Sequence, residues 1–435
     1  MSLFSPVTLE SVCQRVAERL DVQTAAVFRE CFTNTLSTTI EAFPDGTAFV
    51  VTGDIPAMWL RDSSAQLTPY LHFLNEDSQL ADTVARVCRR QLRYVLLDPY
   101  ANAFNVAANG AGHSNDLTEL DPWVWERKYE VDSLCYPIQL AYDFWRITER
   151  TDHLTDFVAA ARTIIALWGT EQDHERNSSY QFQRLNSAAS DTLARQGRGP
   201  VVAPTGLTWS GFRPSDDACT LGFNIPGNVF AAVELTHIAE IALGVFDDSD
   251  LASAAVDLQR EIEDGIANHG VVTSAEIGTI YAYEVDGLGN YLLMDDANVP
   301  SLLSVPLLGW CADDDPLYLA TRAFLLSDRN PYYHRGSAAC GQGSPHTPSD
   351  TIWPIGLAVE GLTARTDEEK AAILRTLVAT NAGTRRMHES FHKDDPTAFT
   401  RDWFSWANAM FCELALDVAG LRTYNRQPIA ARVES

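Results

Sequence analysis

The stretch P-G-N-V-F-A-A-V-E-L-T-H-I-A-E-I-A-L-G-V-F-D-D-S-D-L-A-S-A-A-V-D-L-Q-R-E-I-E-D-G-I-A-N, residues 226–268, contains two helical patterns separated by a short connection. Apolar residues recur at helical spacing over 226–244 and again over 250–268. Gly244 stands where a C-terminal cap is expected, and Asp250 precedes the second pattern as a helix-start signal. Helices joined by so few residues lie antiparallel. The stretch therefore predicts a helical hairpin.

The same arrangement recurs along the chain, and it predicts an all-α fold with minor β-hairpin elements. Short connections follow every second helical stretch, so six hairpins would place all the long connections at one end. Closed into a ring, they form an (α/α)6 barrel, predicted here as one domain over residues 1–435. An α-solenoid is the alternative, but the chain shows no repeat period. After an amphipathic stretch at 8–20, the helical stretches are 25–40, 64–75, 79–98, 130–150, 153–175, 226–244, 250–268, 299–309, 315–327, 350–364, 367–381 and 401–420; the long connections are 41–63, 99–129, 176–225, 269–298, 328–349 and 382–400; β-like patterns occupy 47–52 and 278–284.

Acidic residues dominate the charge of the chain. Fifty-eight Asp and Glu against 32 Lys and Arg leave a net charge of −26. Such a surface repels phosphate backbones and anionic lipid, so we expect neither nucleic acid nor a membrane as partner. The first residues show no secretory signal, and the eight cysteines are too scattered for a metal clip or a disulfide framework. We therefore expect a cytoplasmic protein whose ligand is neutral or cationic.

The first long connection contains G-D-I-P-A-M-W-L-R-D-S at 53–63. Trp59 offers a face for the apolar side of a sugar ring, and Arg61 and Asp62 can bond to its hydroxyl groups. The alternative is that Asp62 or Ser63 caps a helix while Arg61 forms a surface ion pair. Spacing alone leaves both interpretations open.

The second long connection is rich in Asn, Gly and acidic residues, most of which are expected in solvated turns. His113 is one candidate for contact with a ligand. Asp132 is the better candidate, because it opens the apolar helix that follows. The other polar residues of this region are Asn115, Asp116, Glu119, Asp121, Glu126 and Glu130.

The third long connection holds two adjacent carboxylates, Asp216 and Asp217, within G-F-R-P-S-D-D at 211–217. Each disfavours ionisation of the other, which can leave one of them protonated near neutral pH. A general acid needs that proton. Arg213 would oppose the effect if it lay close, and helix capping or ion pairing is the alternative role.

The fourth and fifth long connections offer weaker candidates. Asn290, Asp295 and Asp296 lie in the fourth, and Arg335 and His346 lie in the fifth. Turn chemistry is the simpler explanation for each of these residues. Asn290 and Asp295 are kept as candidate contacts to substrate.

The sixth long connection matches H-E-x-x-H at 388–392, the pattern in which two histidines one helical turn apart bind zinc. Gly383 precedes it and Pro396 follows it closely, so no long helix can present both histidines. No third histidine stands at the spacing of the extended zinc motif. Read without metal, Glu389 faces Asp216 and Asp217 across a polar cavity, as in a glycosidase. A zinc hydrolase remains the alternative.

Longer motifs include D-I-P-A-M-W-L-R-D-S at 54–63, G-F-R-P-S-D-D at 211–217, L-L-M-D-D-A-N-V-P at 292–300, and M-H-E-S-F-H-K-D-D-P followed by T-R-D-W-F-S-W-A-N within 387–408. Together they resemble glycoside hydrolase family 125. The resemblance runs in order from about residue 28 to residue 420, which makes it far more specific than any single motif.

The resemblance implies an exo-acting α-1,6-mannosidase that inverts the anomeric centre on an (α/α)6 barrel, without metal or other cofactor. It puts the general acid within Asp216-Asp217, with Asp216 preferred, and the general base at Glu389. Arg61 and Asp62 would hold hydroxyl groups of the sugar in the −1 pocket. The partner would be a mannose-containing oligosaccharide. The alternative from another class, an inactive mannose-binding module, needs neither carboxylate.

For an inverting mechanism we expect the two carboxyl groups to stand about 6.5–9.5 Å apart, because a water molecule must fit between the base and the sugar. The acid would protonate the departing oxygen while the base removes a proton from that water.

Overall fold

Helices supply most of the regular structure in the computed structural model, which describes residues 3–429. The first two and the last six residues of the predicted domain lie outside the described residues. The α-helices in chain order are α1 (Pro6–Ala17), α2 (Val22–Thr38), α3 (Leu60–Ala65), α4 (Thr68–Leu71), α5 (Ser78–Leu97), α6 (Val131–Thr148), α7 (Phe157–Glu171), α8 (His174–Asn177), α9 (Ala194–Gly197), α10 (Ile225–Phe246), α11 (Ser249–His269), α12 (Val305–Leu308), α13 (Pro316–Leu325), α14 (Pro354–Leu362), α15 (Asp367–Ala379) and α16 (Ser405–Val418).

The helical hairpin at 226–268 is confirmed, because α10 packs along α11. Its turn, residues 247–248, lies within the predicted connection 245–249 and is shorter than predicted. Helix α10 continues through Gly244, whose small size admits the ring of Trp145, and it ends at the left-handed Asp247. Asp248 then caps α11 by accepting a hydrogen bond from the Leu251 amide, so the predicted start signal at Asp250 is wrong.

Helix α10 is long and apolar enough to cross a membrane by length and hydropathy alone. Within the fold it packs against α6, α11 and α12, and 67% of its most apolar 18-residue window is buried. Burial on several sides therefore accounts for its apolar composition.

Neighbouring helices pack in two series. One runs from α3 to α6, α10 and α12, and from α14 to α16 and back to α3 and α4. The other covers it, since α5 packs on α6 and α7, α7 on α11, and α15 on α14, α16 and α2. These contacts agree with the predicted hairpins, and the closure of six hairpins into a barrel stays a prediction.

The strands are short and join the long connections to one another. β3 pairs with β4, β5 with β7, β8 with β11, and β15 with β16. The Ala297 amide donates to the Gly343 carbonyl at 3.2 Å, and a bridge joins Gly53 to Phe404. The strands are β1 (Ile40–Ala42), β2 (Ala48–Val50), β3 (Met58–Trp59), β4 (Ala103–Phe104), β5 (Asp116–Leu117), β6 (Val124–Glu126), β7 (Gln183–Arg184), β8 (Phe223–Asn224), β9 (Val271–Ser274), β10 (Gly278–Tyr281), β11 (Glu284–Val285), β12 (Tyr291–Leu292), β13 (Tyr333–Arg335), β14 (Cys340–Gln342), β15 (Thr351–Ile352), β16 (Ser390–His392) and β17 (Phe399–Thr400).

These six links form a closed circuit. In the structure the fifth connection extends to Trp353 and the sixth to Phe404, so the links join the first long connection to the second, and so on through the sixth and back to the first. All six long connections therefore lie together at one end of the molecule, which is where the alternation of short and long connections predicts them.

Proline accounts for the main departures from the predicted helix boundaries. The predicted helix at 64–75 is two helices, α3 and α4, because Pro69 has no amide hydrogen to donate to the Ala65 carbonyl. Helix α14 begins at Pro354 instead of residue 350, and α12 covers only four residues of the predicted 299–309. Because α3 starts at Leu60, Arg61 and Asp62 lie in its first turn.

Buried apolar side chains form one large core that extends from Val12 in α1 to Leu421 beyond α16. All eight cysteines lie in the described residues and are free thiols. Six are buried, Cys311 is half-buried and Cys340 is exposed. The six buried cysteines therefore contribute to the fold through packing.

Candidate active site

A cavity of about 390 Å³ opens where the long connections meet. The first, third, fourth, fifth and sixth connections all contribute side chains to it. Aromatic rings supply apolar surface and three carboxylates supply charge, which suits a sugar. The lining residues are Thr52, Ile55, Trp59, Arg61, Asp62, Pro214, Ser215, Asp216, Asn298, His346, Trp353, Glu389, Arg401, Phe404 and Trp406.

Arg61 lies at the centre of four carboxylates. Its Nη1 donates to Glu130 Oε2 at 2.6 Å and to Asp132 Oδ2 at 2.9 Å. Its Nη2 donates to Asp216 Oδ1 at 2.9 Å, and its Nε is 3.9 Å from Asp62 Oδ2. Arg61 is 2% exposed. The alternative of a surface ion pair is therefore wrong, because this guanidinium is buried and holds the floor of the cavity together.

Asp216 sits at the tip of a tight hairpin closed by a bridge between Phe212 and Ala218. Asp216 has a positive φ of 65°, a left-handed conformation that Asp tolerates better than most residues. Lys128 Nζ donates to its backbone carbonyl at 2.8 Å. Arg213 binds the buried Glu284 carboxylate at the base of the hairpin, so it fixes the hairpin instead of facing Asp216.

The pKa values of the acids in this cluster are shifted in opposite directions by burial and by neighbouring charges. Burial raises the pKa of Glu130 well above its usual range, and Arg61 offsets only part of that rise. Burial also raises the pKa of Asp62 to about 6. At Asp216 burial acts in the same direction, but Arg61, a hydrogen bond from Glu130, and Lys128 outweigh it and hold the pKa well below its usual range.

Glu389 lies on the opposite side, just before β16, and is 6% exposed. Arg401 Nη1 is 3.5 Å from Glu389 Oε1, and Arg401 also pairs with Asp54. His346 Nδ1 is 3.4 Å from Asp217 Oδ1. Burial opposes protonation of His346, but the Asp217 carboxylate raises its pKa to about 9. Two cationic side chains, Arg401 and His346, therefore line the cavity together with Glu389.

The H-E-x-x-H pattern does not form a zinc site. Its last three residues form β16 and Glu389 lies in a bend before that strand, so His388 and His392 do not lie on one turn of a helix. His388 is buried and stacked on Phe399, with ring centroids 3.7 Å apart. Across residues 3–429, no group of three or more His, Cys, Asp or Glu is arranged to hold a metal ion.

Five of the predicted site residues meet in the cavity: Trp59, Arg61, Asp62, Asp216 and Glu389. Asp132 and Asp217 lie one contact behind it. Asp132 binds Arg61, and Asp217 binds His346.

The other three predicted site residues do not line the cavity. His113 lies over Trp125 beside a separate hollow, 3.6 Å from Glu126. Asn290 is exposed on a turn and donates to Asp286. Asp295 is fully buried, and its carboxylate accepts the Leu302 and Leu303 amides and Gln342 Nε2. Both oxygens of its carboxylate therefore already accept hydrogen bonds from the surrounding protein.

Several lining residues escaped the sequence reasoning. Arg401, Trp353, Phe404 and Trp406 come from late in the chain and meet Trp59 and Arg61 only through the fold. Arg401, Phe404 and Trp406 fall within T-R-D-W-F-S-W-A-N, so that motif carried a usable signal. Trp353, which opens a buried helix beside a proline, carried none.

Comparison with known proteins identifies the family. The model of the metal-independent alpha-mannosidase family GH125 matches residues 21–416. The chain belongs to GH125. The sequence resemblance is confirmed, and the zinc hydrolase alternative conflicts with both the family and the strand geometry.

Two relatives extend the match over nearly the whole chain. A metal-independent alpha mannosidase from Streptococcus pneumoniae, solved in a non-productive complex with alpha-1,6-mannobiose, is 50% identical. It superposes with a TM-score of 0.95 over 97% of this GH125 chain and 100% of that chain. The meiotically up-regulated gene 157 protein of Schizosaccharomyces pombe is 39% identical over 439 residues, covering 95% of this chain and 86% of that protein.

More distant structures share the fold alone. A glucoamylase from Saccharomycopsis fibuligera superposes with a TM-score of 0.59 at 11% identity, covering 95% of this GH125 chain and 96% of that chain.

Proposed function

We propose that this GH125 protein is an exo-acting α-1,6-mannosidase that inverts the anomeric centre. The observation that carries the proposal is the presence of Asp216 and Glu389 in one small cavity, Asp216 bound to Arg61 and Glu389 beside Arg401. Family membership already makes the protein an alpha-mannosidase. The linkage, the exo mode and the stereochemistry are our proposal.

Asp216 acts as the general acid and Glu389 as the general base in this proposal. Asp216 protonates the glycosidic oxygen as the bond to C1 breaks, while Glu389 removes a proton from the water that attacks C1 from the opposite face. A general base must be ionised, and the guanidinium of Arg401 lies 3.5 Å from Glu389 Oε1. The expected separation of about 6.5–9.5 Å leaves room for that water.

The size of the cavity supports an exo mode of attack. The cavity is small and is walled by five of the long connections, which suits a terminal sugar better than the middle of a chain. Trp59, Trp353 and Trp406 give stacking surfaces for that sugar. The 50% identical relative was solved with alpha-1,6-mannobiose, which supports the same linkage here.

We further propose that the helical hairpins close into a single (α/α)6 barrel. The two series of packed helices, the closed circuit of long connections and the likeness to a glucoamylase support it. A cytoplasmic location is also proposed, and the eight free thiols fit it, because a reducing compartment keeps cysteines unpaired.

The test is incubation with α-1,6-mannobiose, with the released mannose followed by NMR. We expect β-mannose as the first product, since inversion converts the α-linkage. On longer α-1,6-mannan oligomers we expect mannose before any disaccharide. First release of α-mannose contradicts inversion, and binding without turnover favours the mannose-binding module.

Two variants test the roles of the carboxylates. Asp216→Asn should lower the rate of mannobiose hydrolysis about 10²–10⁴-fold. It should lower the rate far less on a dinitrophenyl α-mannoside, because that leaving group needs no proton. Glu389→Gln should fail on both substrates. Asn290→Ala, on an exposed turn away from the cavity, is the control and should retain activity. The opposite pattern for the two carboxylates reverses the assignment.

A further inference from the structure

Glu130 is a buried acid that touches the proposed general acid from behind. It lies immediately before α6, with a side chain that is fully shielded from solvent. We infer that Glu130 stores, in the resting enzyme, the proton that Asp216 passes to the departing glycosidic oxygen. The inference rests on the proposed function and adds a proton-storing residue that does not itself contact the substrate.

The contacts of Glu130 leave only one partner, Asp216, to which a protonated Glu130 carboxyl could donate. Oε2 accepts from Arg61 Nη1 at 2.6 Å and from Ser133 Oγ at 2.7 Å. Oε1 is buried and accepts from no donor among the described residues. Arg61 holds the Glu130 and Asp216 carboxyls side by side, Glu130 through Nη1 and Asp216 through Nη2 at 2.9 Å, so a proton on Glu130 would be donated to Asp216. Two carboxyl groups can form a hydrogen bond only when one of them carries a proton.

The surrounding charges decide which of the two acids holds it. Glu130, Asp62, Asp132 and Asp216 share the single guanidinium of Arg61, so full ionisation would leave a large negative charge in a site where only Asp216 is appreciably exposed. Two further cations lower the pKa of Asp216. Lys128 binds the Asp216 carbonyl, and His346 pairs with the adjacent Asp217. The negative charge therefore settles on Asp216 and the proton on Glu130.

Substrate binding reverses this preference. The Asp216 side chain is 25% exposed in the free protein, so water solvates its charge. A sugar in the cavity displaces that water and raises the proton affinity of Asp216. The proton crosses the contact from Glu130, whose new charge is held by Arg61 and Ser133.

Every bond and every proton is accounted for in this reaction. As the bond from C1 to the glycosidic oxygen breaks, Asp216 gives its proton to that oxygen and returns to a carboxylate. The attacking water bonds to C1 and gives its proton to Glu389. Solvent then restores the proton of Glu130 and removes that of Glu389.

The kinetic test compares Glu130→Gln with Asp132→Asn. Both remove one carboxylate from Arg61, but only Glu130 contacts Asp216 through a carboxyl–carboxyl bond. We expect Glu130→Gln to lose about 100-fold or more in kcat on α-1,6-mannobiose and less than about 10-fold on the dinitrophenyl mannoside. Asp132→Asn should lower kcat by the same factor on both substrates.

The pH profile gives a readout that a structural role would not move. In the wild type, activity falls as pH rises through the pKa of the Glu130–Asp216 pair. In Glu130→Gln, Asp216 is the only carboxyl of the pair that can carry the proton, and it lies beside Arg61. The alkaline limb of the pH–activity profile should therefore move to lower pH by about one unit or more. An unmoved limb, or an equal loss on both substrates, overturns the inference.

Infrared difference spectroscopy tests proton storage without relying on turnover. Protein labelled with ¹³C-glutamate, on a Glu360→Gln background to remove a second buried acid, should show a protonated carboxyl band at neutral pH. The band should shift when Asp216→Asn is introduced and persist in Asp132→Asn. Its absence in folded protein overturns the inference even if the enzyme is an active mannosidase, and its presence supports storage even if the proposed linkage is wrong.

Discussion

Replacing Arg61 by Met tests whether the cavity floor depends on one guanidinium. Met has a similar length but no charge, so Arg61→Met leaves Asp62, Glu130, Asp132 and Asp216 buried without their shared partner. Removing one partner of a buried ion pair typically costs about 3–5 kcal/mol. We expect a loss of this size in the free energy of unfolding near neutral pH.

The loss should depend on pH in a known direction. In the wild type, Arg61 depresses the pKa of Asp216, which stabilises the fold above the usual pKa of Asp and loses effect at strongly acid pH. Without Arg61, burial raises the pKa values of the remaining acids, so the variant loses stability as pH rises through them. Each extra bound proton adds about 1.4 kcal/mol per pH unit to that slope.

Urea denaturation of wild type and variant between about pH 5 and pH 8 measures this slope. Arg213→Met is the matched control, since Arg213 is equally buried but pairs with the single carboxylate of Glu284. Its loss of stability should change less with pH than that of Arg61→Met. If the two variants show the same slope, the four carboxylates do not act as one cluster and the reasoning fails.

Three further predictions concern other parts of the molecule. Burial raises the pKa of Glu360 to about 7, so Glu360→Gln should raise the free energy of unfolding above that pH by up to about 3 kcal/mol and leave it unchanged near pH 4, as urea denaturation would measure. At Gly53, φ is 139° and an added Cβ would lie 2.6 Å from the Trp403 carbonyl, so Gly53→Ala should lower stability by about 1–3 kcal/mol, with a lower Tm, by separating the first and sixth connections. Exhaustive EDTA treatment should leave mannoside hydrolysis unchanged, and a loss that zinc restores would contradict that expectation.

The hairpin pattern could be predicted because it depends on local sequence. Apolar residues at helical spacing and short connections such as 245–249 determine which helices lie side by side. Boundaries were less predictable where long-range contacts decide them. Gly244 looked like a cap, yet it stays inside α10 because Trp145, from α6, packs on it. The short α12 follows a loop that the buried Asp295 holds through its backbone amides.

Half of the predicted site residues reached the cavity because their motifs sit at the ends of strands and helices that face it. The failures have a common cause. A carboxylate in a long connection can bind substrate, as Asp62 is placed to do, or bind its own backbone, as Asp295 does. The sequence shows the same residue type in both cases. Arg401 follows β17 and Glu389 precedes β16, so the pairing of these two strands brings the two side chains together. Trp353 reaches the cavity because β15 pairs with β16.

The division of labour between the two walls follows from counting charges around each acid. On one wall, four carboxylates share Arg61, so at least one proton is retained there at neutral pH. On the other, Glu389 stands beside the guanidinium of Arg401, and His346 lines the same cavity. An inverting glycosidase needs one proton donor and one proton acceptor facing each other at the same pH. The surroundings of the two carboxylates supply that difference before any substrate binds, and they do so with residues that a search for catalytic acids alone would pass over.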